Sequence, residues 1–448
     1  MPASWLLDRM QRWADQPAIA WRDQVETYQD LIGRVGEWEA RLEKEAINPG
    51  QVVALEGDYS PNTCALMLSL IQRRSIVVPL TESVRHNKAE FLDIAEAEAE
   101  ISINARDESS VTHRPGAPTS ELTLSLIERG RPGLVLFTSG STGRSKAALH
   151  DFSALLEKFK VERRRYRTVT FLLLDHIGGI NTLLYALSNG GMVVALNSRQ
   201  PEAVCAAIER HRVELLPTSP TFLNLLLMSE AHQRFDLSSL KTITYGTEPM
   251  PASTLRRLRS VVPDASLLQT YGLTETGILR AKSKSSDSLW VKLGGEGIET
   301  KVVDGVLWIR SEAAMLGYLN HPSPFDQDGW LNTHDLVEVD GDHFRILGRR
   351  SEIINVGGQK VHPAEVESVL LEMDGVTDAT VFSEPNPIMG QVVAARLNVA
   401  TPMTNSQLKR EVRQFCKSRL EPFKIPVKVT ATVKNQASDR FKKFRQGP

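Results

Sequence analysis

The stretch LVLFTSGSTGRSKAALH, residues 134–150, decides how the rest of the chain reads. An apolar run ending at Phe137 passes directly into Thr138, Ser139, Gly140, Ser141, Thr142 and Gly143, and then meets Arg144 and Lys146. Taken with Gly133, the apolar run is a short buried strand of the kind found in parallel sheets covered on both faces. Ligands of such sheets bind beyond the carboxyl ends of the strands, which is where this loop must lie. Gly140 and Gly143 let the backbone come close to an anion, and the neighbouring hydroxyls and N–H groups can donate to phosphate oxygens. No Gly-Lys pair follows Gly143, so this is not the GxxxxGK[ST] loop. A Ser/Gly linker is the plain alternative, but linkers seldom leave a buried strand directly. The loop reads as a phosphate cradle.

Working outward, the first 270 residues alternate short apolar strands with amphipathic segments. TYQDLIGRVGEWEARLEKEA (27–46) sets Tyr28, Leu31, Ile32, Val35, Trp38 and Leu42 on one helical face, with Thr27 and Asp30 at the cap and third positions. Strands are expected at 52–57, 75–80, 133–137, 169–174, 191–196, 213–217, 241–245 and 266–270, a parallel α/β pattern. DESSVTHRPGAPTS (107–120) reads as a surface loop, and the basic run KVERRRYR (160–167) as a solvated helix face. Past residue 290 the texture changes, and KVVDGVLWIR (301–310) and VEVDGDHFRILG (337–348) both look like hairpins turning at Asp-Gly. From residue 350 a smaller α+β pattern follows, with helices at 362–373 and 405–420. The expected fold class is therefore α/β. A large N-terminal domain (1–348) has mainly parallel sheets covered by helices plus a β-rich subdomain, and a small α+β C-terminal domain (349–448) follows.

The bulk properties narrow the function classes. At 448 residues the chain exceeds one compact core, which agrees with more than one domain. Hydrophobic residues at 41% and charged residues at 24% are ordinary for a soluble globular protein. A net charge of -1 gives no reason to expect nucleic acid or an acidic membrane as partner. Cys64, Cys205 and Cys416 form neither a disulfide framework nor a metal-ligand spacing, and they suit a reducing compartment. MPASWLLDRMQRW does not read as a secretory signal, and no apolar run approaches the roughly 20 residues of a membrane span. A cytoplasmic protein is expected.

LFTSGSTGRSK resembles the phosphate loop of the acyl-adenylate-forming superfamily, which comprises acyl-CoA ligases, peptide-synthetase adenylation domains and firefly luciferase. Other motifs follow in the family's order. QTYGLTETG (269–277) is similar to its second nucleotide motif, and GYLN…DGWLNTHDLVEVDG (317–341) to its ribose-binding segment. ILGRRSEIINVGGQKVHPAEVESVL (346–370) is similar to the start of its mobile C-terminal domain. The resemblance covers nearly the whole chain, and the length is closest to compact members such as o-succinylbenzoate-CoA ligase.

The resemblance implies ATP and Mg²⁺ as cofactors. A carboxylate attacks the α-phosphate of ATP, so the site must neutralise charge and align the nucleophile opposite the departing pyrophosphate. Thr138 to Gly143 and Lys146 would hold the β- and γ-phosphates, Thr274 would donate to the α-phosphate, and Glu275 would help hold Mg²⁺. Tyr271 and Gly272 would lie along adenine, with Gly246, Thr247 and Glu248 in YGTEP (245–249) forming its other wall. Asp335 matches the acid that accepts both ribose hydroxyls, and Arg349 a cation reaching ribose and phosphate. His334 stands where the family usually has Gly. His176 matches a residue that borders the carboxylate and moves aside for substrate.

The family carries one Lys near its end, usually as Thr-x-x-x-Lys with Gly before it and Arg three residues after. Here the end reads VKNQASDRFKKFRQGP. Lys442 fits, with Ser438 four before and Arg445 three after, although Phe441 replaces Gly; Arg440 and Lys443 are the other candidates. Ser351 falls at the family's hinge, and Gly357 and Gly358 would leave a narrow path for a pantetheine thiol. The acyl pocket is expected around His176–Asn181, Thr218–Thr221, Tyr245–Gly246 and Gly272–Ile278, mostly neutral or apolar with no cation aimed at a second carboxylate. The expectation is activation of a small-molecule carboxylic acid, aryl or fatty, and transfer to CoA by a monomer or homodimer. Transfer to an external carrier protein or an amine, and a non-catalytic nucleotide-binding regulator, are the alternatives.

Overall fold

The computed structural model describes residues 4–138, 145–433, 436 and 443. Two seven-stranded sheets carry most of the chain. Across the first, the strands run Gly317–Tyr318, Lys146–Asp151, Gly133–Thr138, Ile76–Leu80, Val52–Glu56, Ala99–Ile103 and Ser109–His113. Its four central strands are parallel, so Glu56, Leu80, Ile103 and Thr138 end on one edge. The second runs Ser266–Gln269, Thr242–Tyr245, Leu215–Thr218, Arg167–Val169, Met192–Val194, Pro17–Trp21 and Gln24–Thr27, parallel except for its last pair. Ile76–Leu80 is buried at every position, the reason its sequence shows an apolar run and no alternation.

One apolar core joins the two sheets. It takes Val53 and Leu134 from the first, Ile19 and Val193 from the second, and Leu31, Leu66 and Leu183 from helices Tyr28–Lys44, Pro61–Gln72 and Ile177–Ser188 between them. Thr27 and Asp30 close a capping box at the start of Tyr28–Lys44, a local device worth about 1 kcal/mol. Further helices cover the outer faces. Lys88–Ile94 and Glu121–Glu128 lie over the first sheet, and Pro201–His211, Pro220–Met228 and Ala252–Val261 over the second.

A six-stranded antiparallel sheet follows, built from segments between Arg280 and Arg349. Its 298–311 hairpin turns at Asp304 (φ 52°) and Gly305 (φ 74°), both left-handed, as a two-residue Asp-Gly turn requires. After the short turn Arg350–Glu352, a smaller sheet built on the long hairpin Val376–Asn386 and Gly390–Val399 packs with helices Pro363–Leu370 and Asn405–Cys416 around its own core. This unit touches the large part where Ser253 Oγ donates to Ser368 O (3.1 Å) and Asn224 Nδ2 to Thr377 O (3.2 Å). No helix among the described residues is long and apolar enough to cross a membrane.

Three segments differ from the sequence-based expectation. Residues 109–113, within the expected loop, form an edge strand antiparallel to Ala99–Ile103; one ladder partner and largely exposed faces leave no apolar signal. Residues 160–165 are solvated but not helical, because helix Phe152–Glu157 ends before them, while Tyr166 is buried and Arg167 begins a strand. The strand expected at 169–174 is Arg167–Val169; the apolar residues after it lie beyond the strand, and Phe171 packs against Phe222.

Candidate active site

The carboxyl ends of both parallel sheets face the region where the sequence motifs meet. Strand Gly133–Thr138 returns as Lys146–Asp151 with Thr138 opposite Lys146, so both ends of the phosphate loop are held by one ladder. Ser139, Gly140, Ser141, Thr142 and Gly143 lie outside the described residues. Segment 315–320 brackets the exit of that loop. The Asn320 side chain accepts from Ala147 N (3.0 Å) and donates to Ser145 O (2.9 Å), while Gly317–Tyr318 pairs with Ala148–Leu149. The same segment reaches Glu275 twice: Met315 N donates to its carbonyl (2.8 Å), and Tyr318 O–H donates to its carboxylate (2.5 Å). Lys146 Nζ stands 5.3 Å from the Tyr318 ring centre. Lys146, Tyr318 and Glu275 are thus brought together by a segment whose tyrosine and asparagine the motif reading did not single out. GYLN was visible as a motif, but nothing in its spacing reveals a partner 43 residues away.

The described residues contain no cluster of three or more His, Cys, Asp or Glu able to hold a metal ion. A lone carboxylate beside a phosphate loop nevertheless suits Mg²⁺, which keeps waters and substrate phosphates as ligands and needs only one or two protein carboxylates. Beneath the Thr274–Glu275 turn lies His150, wholly buried next to the Thr274 backbone. Burial pulls its imidazole down to about 4, so it is neutral at neutral pH.

On the opposite side, Tyr271 O–H donates to Asp335 Oδ2 (2.5 Å) and Arg349 Nε lies 3.5 Å from Asp335 Oδ1. Asp335 is only 7% exposed. Burial pushes its carboxyl up, while Tyr271 and Arg349 hold it down. Each carboxylate oxygen has two lone pairs, so both retain capacity for a ligand hydroxyl. His334 has φ 58°, the left-handed region that favours Gly, which explains why the family's usual residue there is Gly.

Gly246 sits against Thr270: a Cβ would fall 2.6 Å from Thr270 Oγ1 and 2.8 Å from its carbonyl oxygen. Thr247 is left-handed at φ 74°. Glu248 accepts from Thr221 N (2.8 Å) and from the Thr221 hydroxyl, so its carboxylate is engaged at the start of helix Pro220–Met228. His176 is the N-cap residue of helix Ile177–Ser188. A Cβ on Gly179 would fall 1.9 Å from Leu173 O and 2.7 Å from Tyr59 Oη, so only Gly lets this helix approach its own lead-in. Gly272 is equally tight, since a Cβ would lie 2.6 Å from Gly277 O.

Of the C-terminal candidates, Lys443 is described. Its amine donates to Ala379 O (2.5 Å) and lies 3.3 Å from Asp378 and 3.8 Å from Glu367, with the side chain 5% exposed. Lys443 is therefore locked inside the small unit. Lys442 and Arg440 lie outside the described residues. A cavity of about 1270 Å³ separates the two units, lined by Glu56, Asp58, Thr81, Ser102, Arg199 and Asp378 among others. None of the residues expected to hold nucleotide lines it.

Residues 6–319 match the AMP-binding enzyme family and residues 365–440 its C-terminal domain. A 3-[(3aS,4S,7aS)-7a-methyl-1,5-dioxo-octahydro-1H-inden-4-yl]propanoyl:CoA ligase of Rhodococcus jostii is 28% identical over 91% of this chain and 90% of its own. The 2-succinylbenzoate–CoA ligase of Bacillus pumilus is 27% identical (94% and 92%), and a feruloyl-CoA synthase of Amycolatopsis 26% (96% and 94%). Among solved structures, an anthranilate CoA ligase in complex with anthranoyl-AMP superposes with TM-score 0.81 at 20% identity (98% and 95% covered). The o-succinylbenzoate CoA synthetase of Bacillus subtilis, in complex with its acyl-adenylate, gives 0.77 at 22% (98% and 96%).

Proposed function

The chain belongs to the AMP-binding enzyme family, and from that premise we infer that it is an ATP-dependent acid–CoA ligase working through an acyl-adenylate. A carboxylate oxygen attacks the α-phosphorus of ATP, the bond to pyrophosphate breaks, and the acyl group becomes linked to AMP. The deprotonated thiol of CoA then attacks the acyl carbonyl, and the bond to AMP breaks. The relatives' acids (indenylpropanoate, succinylbenzoate, ferulate) all carry rings, which supports a ring-bearing acid as substrate class.

The observation that carries the site assignment is the bracket 315–320, which sets Glu275, Tyr318 and Lys146 beside the phosphate loop. In this reading Lys146 and residues 138–143 hold the pyrophosphate end, and Thr274 donates to the α-phosphate. Glu275, oriented by Tyr318, would hold Mg²⁺, which would supply positive charge to offset that on the phosphates. Asp335 receives the ribose hydroxyls with Arg349 beside it, Tyr271 and Gly272 flank the base opposite Gly246–Glu248, and His176 gates the acid. Since Lys443 is committed to Glu367 and Asp378, Lys442 is the residue assigned to the acyl-phosphate contact. The small unit that follows the turn Arg350–Glu352 carries that lysine and the Gly357–Gly358 turn.

Acid-dependent ATP–pyrophosphate exchange across ring-bearing and aliphatic acids tests this, with CoA thioester read by mass spectrometry. Glu275→Gln is expected to lower exchange by about a hundredfold or more without changing the melting temperature. Exchange unchanged in that variant would remove Glu275 from the site. ATP binding without exchange for any acid would overturn the ligase reading.

A further inference from the structure

The segment that leads into His176 is held by side chains that come from elsewhere in the fold. Residues 171–176 belong to no helix or strand, although they connect strand Arg167–Val169 to helix Ile177–Ser188. Arg199 Nε donates to Phe171 O (2.7 Å), Tyr59 O–H donates to Leu172 O (3.0 Å), and Thr81 O–H donates to Asp175 Oδ2 (2.9 Å). The segment then turns on itself, with His176 N donating to Leu173 O at 3.2 Å. Gly179 completes the fit, since the Tyr59 hydroxyl stands 2.7 Å from where its Cβ would be.

The three holders come from the carboxyl ends of strands. Tyr59 and Thr81 follow Val52–Glu56 and Ile76–Leu80 of the first sheet, and Arg199 follows Met192–Val194 of the second. Arg199 is itself fixed by a two-pronged contact with Asp58, 2.9 Å to each oxygen, which ties the two sheets together at this edge. Tyr59, Thr81, Arg199 and Leu173 also line the cavity between the two units, whose small-unit wall includes Thr377 and Asp378. A carbonyl outside regular structure needs a donor, and water would serve for stability alone. Fixed donors on rigid strand ends do more, because a working site must hold its groups to within about 0.5 Å.

We propose that Tyr59, Thr81 and Arg199 are positioning residues for the acid gate: from the wall of the cavity between the units they fix segment 171–175, and through it the place of His176, so that they set the affinity for the acid without touching it. This rests on the gate role given to His176 above and adds the residues that set the gate.

The test uses the full-length protein and the acid that exchanges fastest in the assay above. Tyr59→Phe and Thr81→Val each remove one hydroxyl and should raise KM for that acid by about two- to tenfold, with KM for ATP unchanged. Thr81→Ser should recover the wild-type value. Ser110→Ala, in the same cavity, should change neither constant. In a His176→Ala background the two hydroxyl removals should have almost no further effect, because the group they place is gone. Unchanged KM for the acid in both variants, an equal rise in KM for ATP, or full additivity with His176→Ala overturns the proposal while the ligase reading stands. If no acid supports exchange, the ligase reading falls, and nuclear magnetic resonance of isotope-labelled histidine decides this one separately. The His176 imidazole signal, assigned by its loss in His176→Ala, should shift in Tyr59→Phe and Thr81→Val and stay in place in Ser110→Ala. A signal unmoved in the first two variants, or moved equally in all three, overturns the proposal.

Discussion

Replacing Tyr318 by Phe removes one hydroxyl and little else. The strand pairing of residue 318 with Ala148 is made by the backbone, and the ring that faces Lys146 remains. What is lost is the 2.5 Å donation to the Glu275 carboxylate. A hydrogen bond to an ionised group contributes about 1.5–3 kcal/mol, which converts to about 12- to 160-fold in an equilibrium or a rate. The loss should fall on Mg–ATP handling, because Glu275 is the carboxylate assigned to the metal. In pyrophosphate exchange, Tyr318→Phe should need more Mg²⁺ for half-maximal rate and lose about ten- to a hundredfold in kcat/KM for ATP, with KM for the acid unchanged. Calorimetric titration of Mg–ATP supplies the same number without turnover. Since Tyr318 acts through Glu275, adding Tyr318→Phe to Glu275→Gln should cost almost nothing more. A Tyr318→Phe enzyme with wild-type Mg²⁺ dependence, or full additivity with Glu275→Gln, would refute this reasoning.

Two further outcomes follow from buried charges. His150 titrates near 4 in the folded protein against an ordinary value near 6.5, so the unfolded chain takes up its proton first as pH falls. Stability is therefore lost across the window from about 6.5 down to about 4, by about 3 kcal/mol in total; urea unfolding as a function of pH should show this slope, and His150→Leu should flatten it. Lys443→Met leaves Glu367 and Asp378 buried without their cation, at a cost of about 3–5 kcal/mol. Its melting temperature should fall, whereas Lys442→Ala should abolish exchange and melt as the wild type does. The reverse pattern would exchange the roles of the two lysines.

Local features of the fold were readable because their causes are local. The capping box at Thr27 and Asp30 spans three residues, and the Asp304–Gly305 turn depends on two backbone angles that Asp and Gly tolerate. Buried parallel strands such as Ile76–Leu80 announce themselves by uninterrupted apolar runs. Strand Ser109–His113 did not, because an edge strand with exposed faces has the composition of a loop. The 160–167 run was misread as helix because charge density carries no periodicity of its own. The same holds at the site. Glu275, Asp335 and Arg349 are candidates that motifs named. Tyr318 against Glu275, Tyr271 against Asp335, and Lys158 against Ile278 join residues 43, 64 and 120 positions apart, and only tertiary packing brings such pairs together.

The apolar core shared by the two large sheets limits the ways in which the molecule can move. Helices Tyr28–Lys44 and Ile177–Ser188 pack on the second sheet and Pro61–Gln72 on the first, with Tyr28–Lys44 against Pro61–Gln72 between them, so sliding one sheet past the other would open the apolar core they share. The smaller unit is different: its apolar side chains, from Ile354 to Val429, are satisfied among themselves, and a short turn at 350–352 joins it to the antiparallel sheet. Its contact with helix Ala252–Val261 is made by serine hydroxyls and by an Arg256–Glu372 ion pair, groups that water can replace at little cost. The soft degree of freedom is thus a swing of the small unit about residues 350–353, and Arg349, one residue before that turn, lies 3.5 Å from Asp335 on the large side of it.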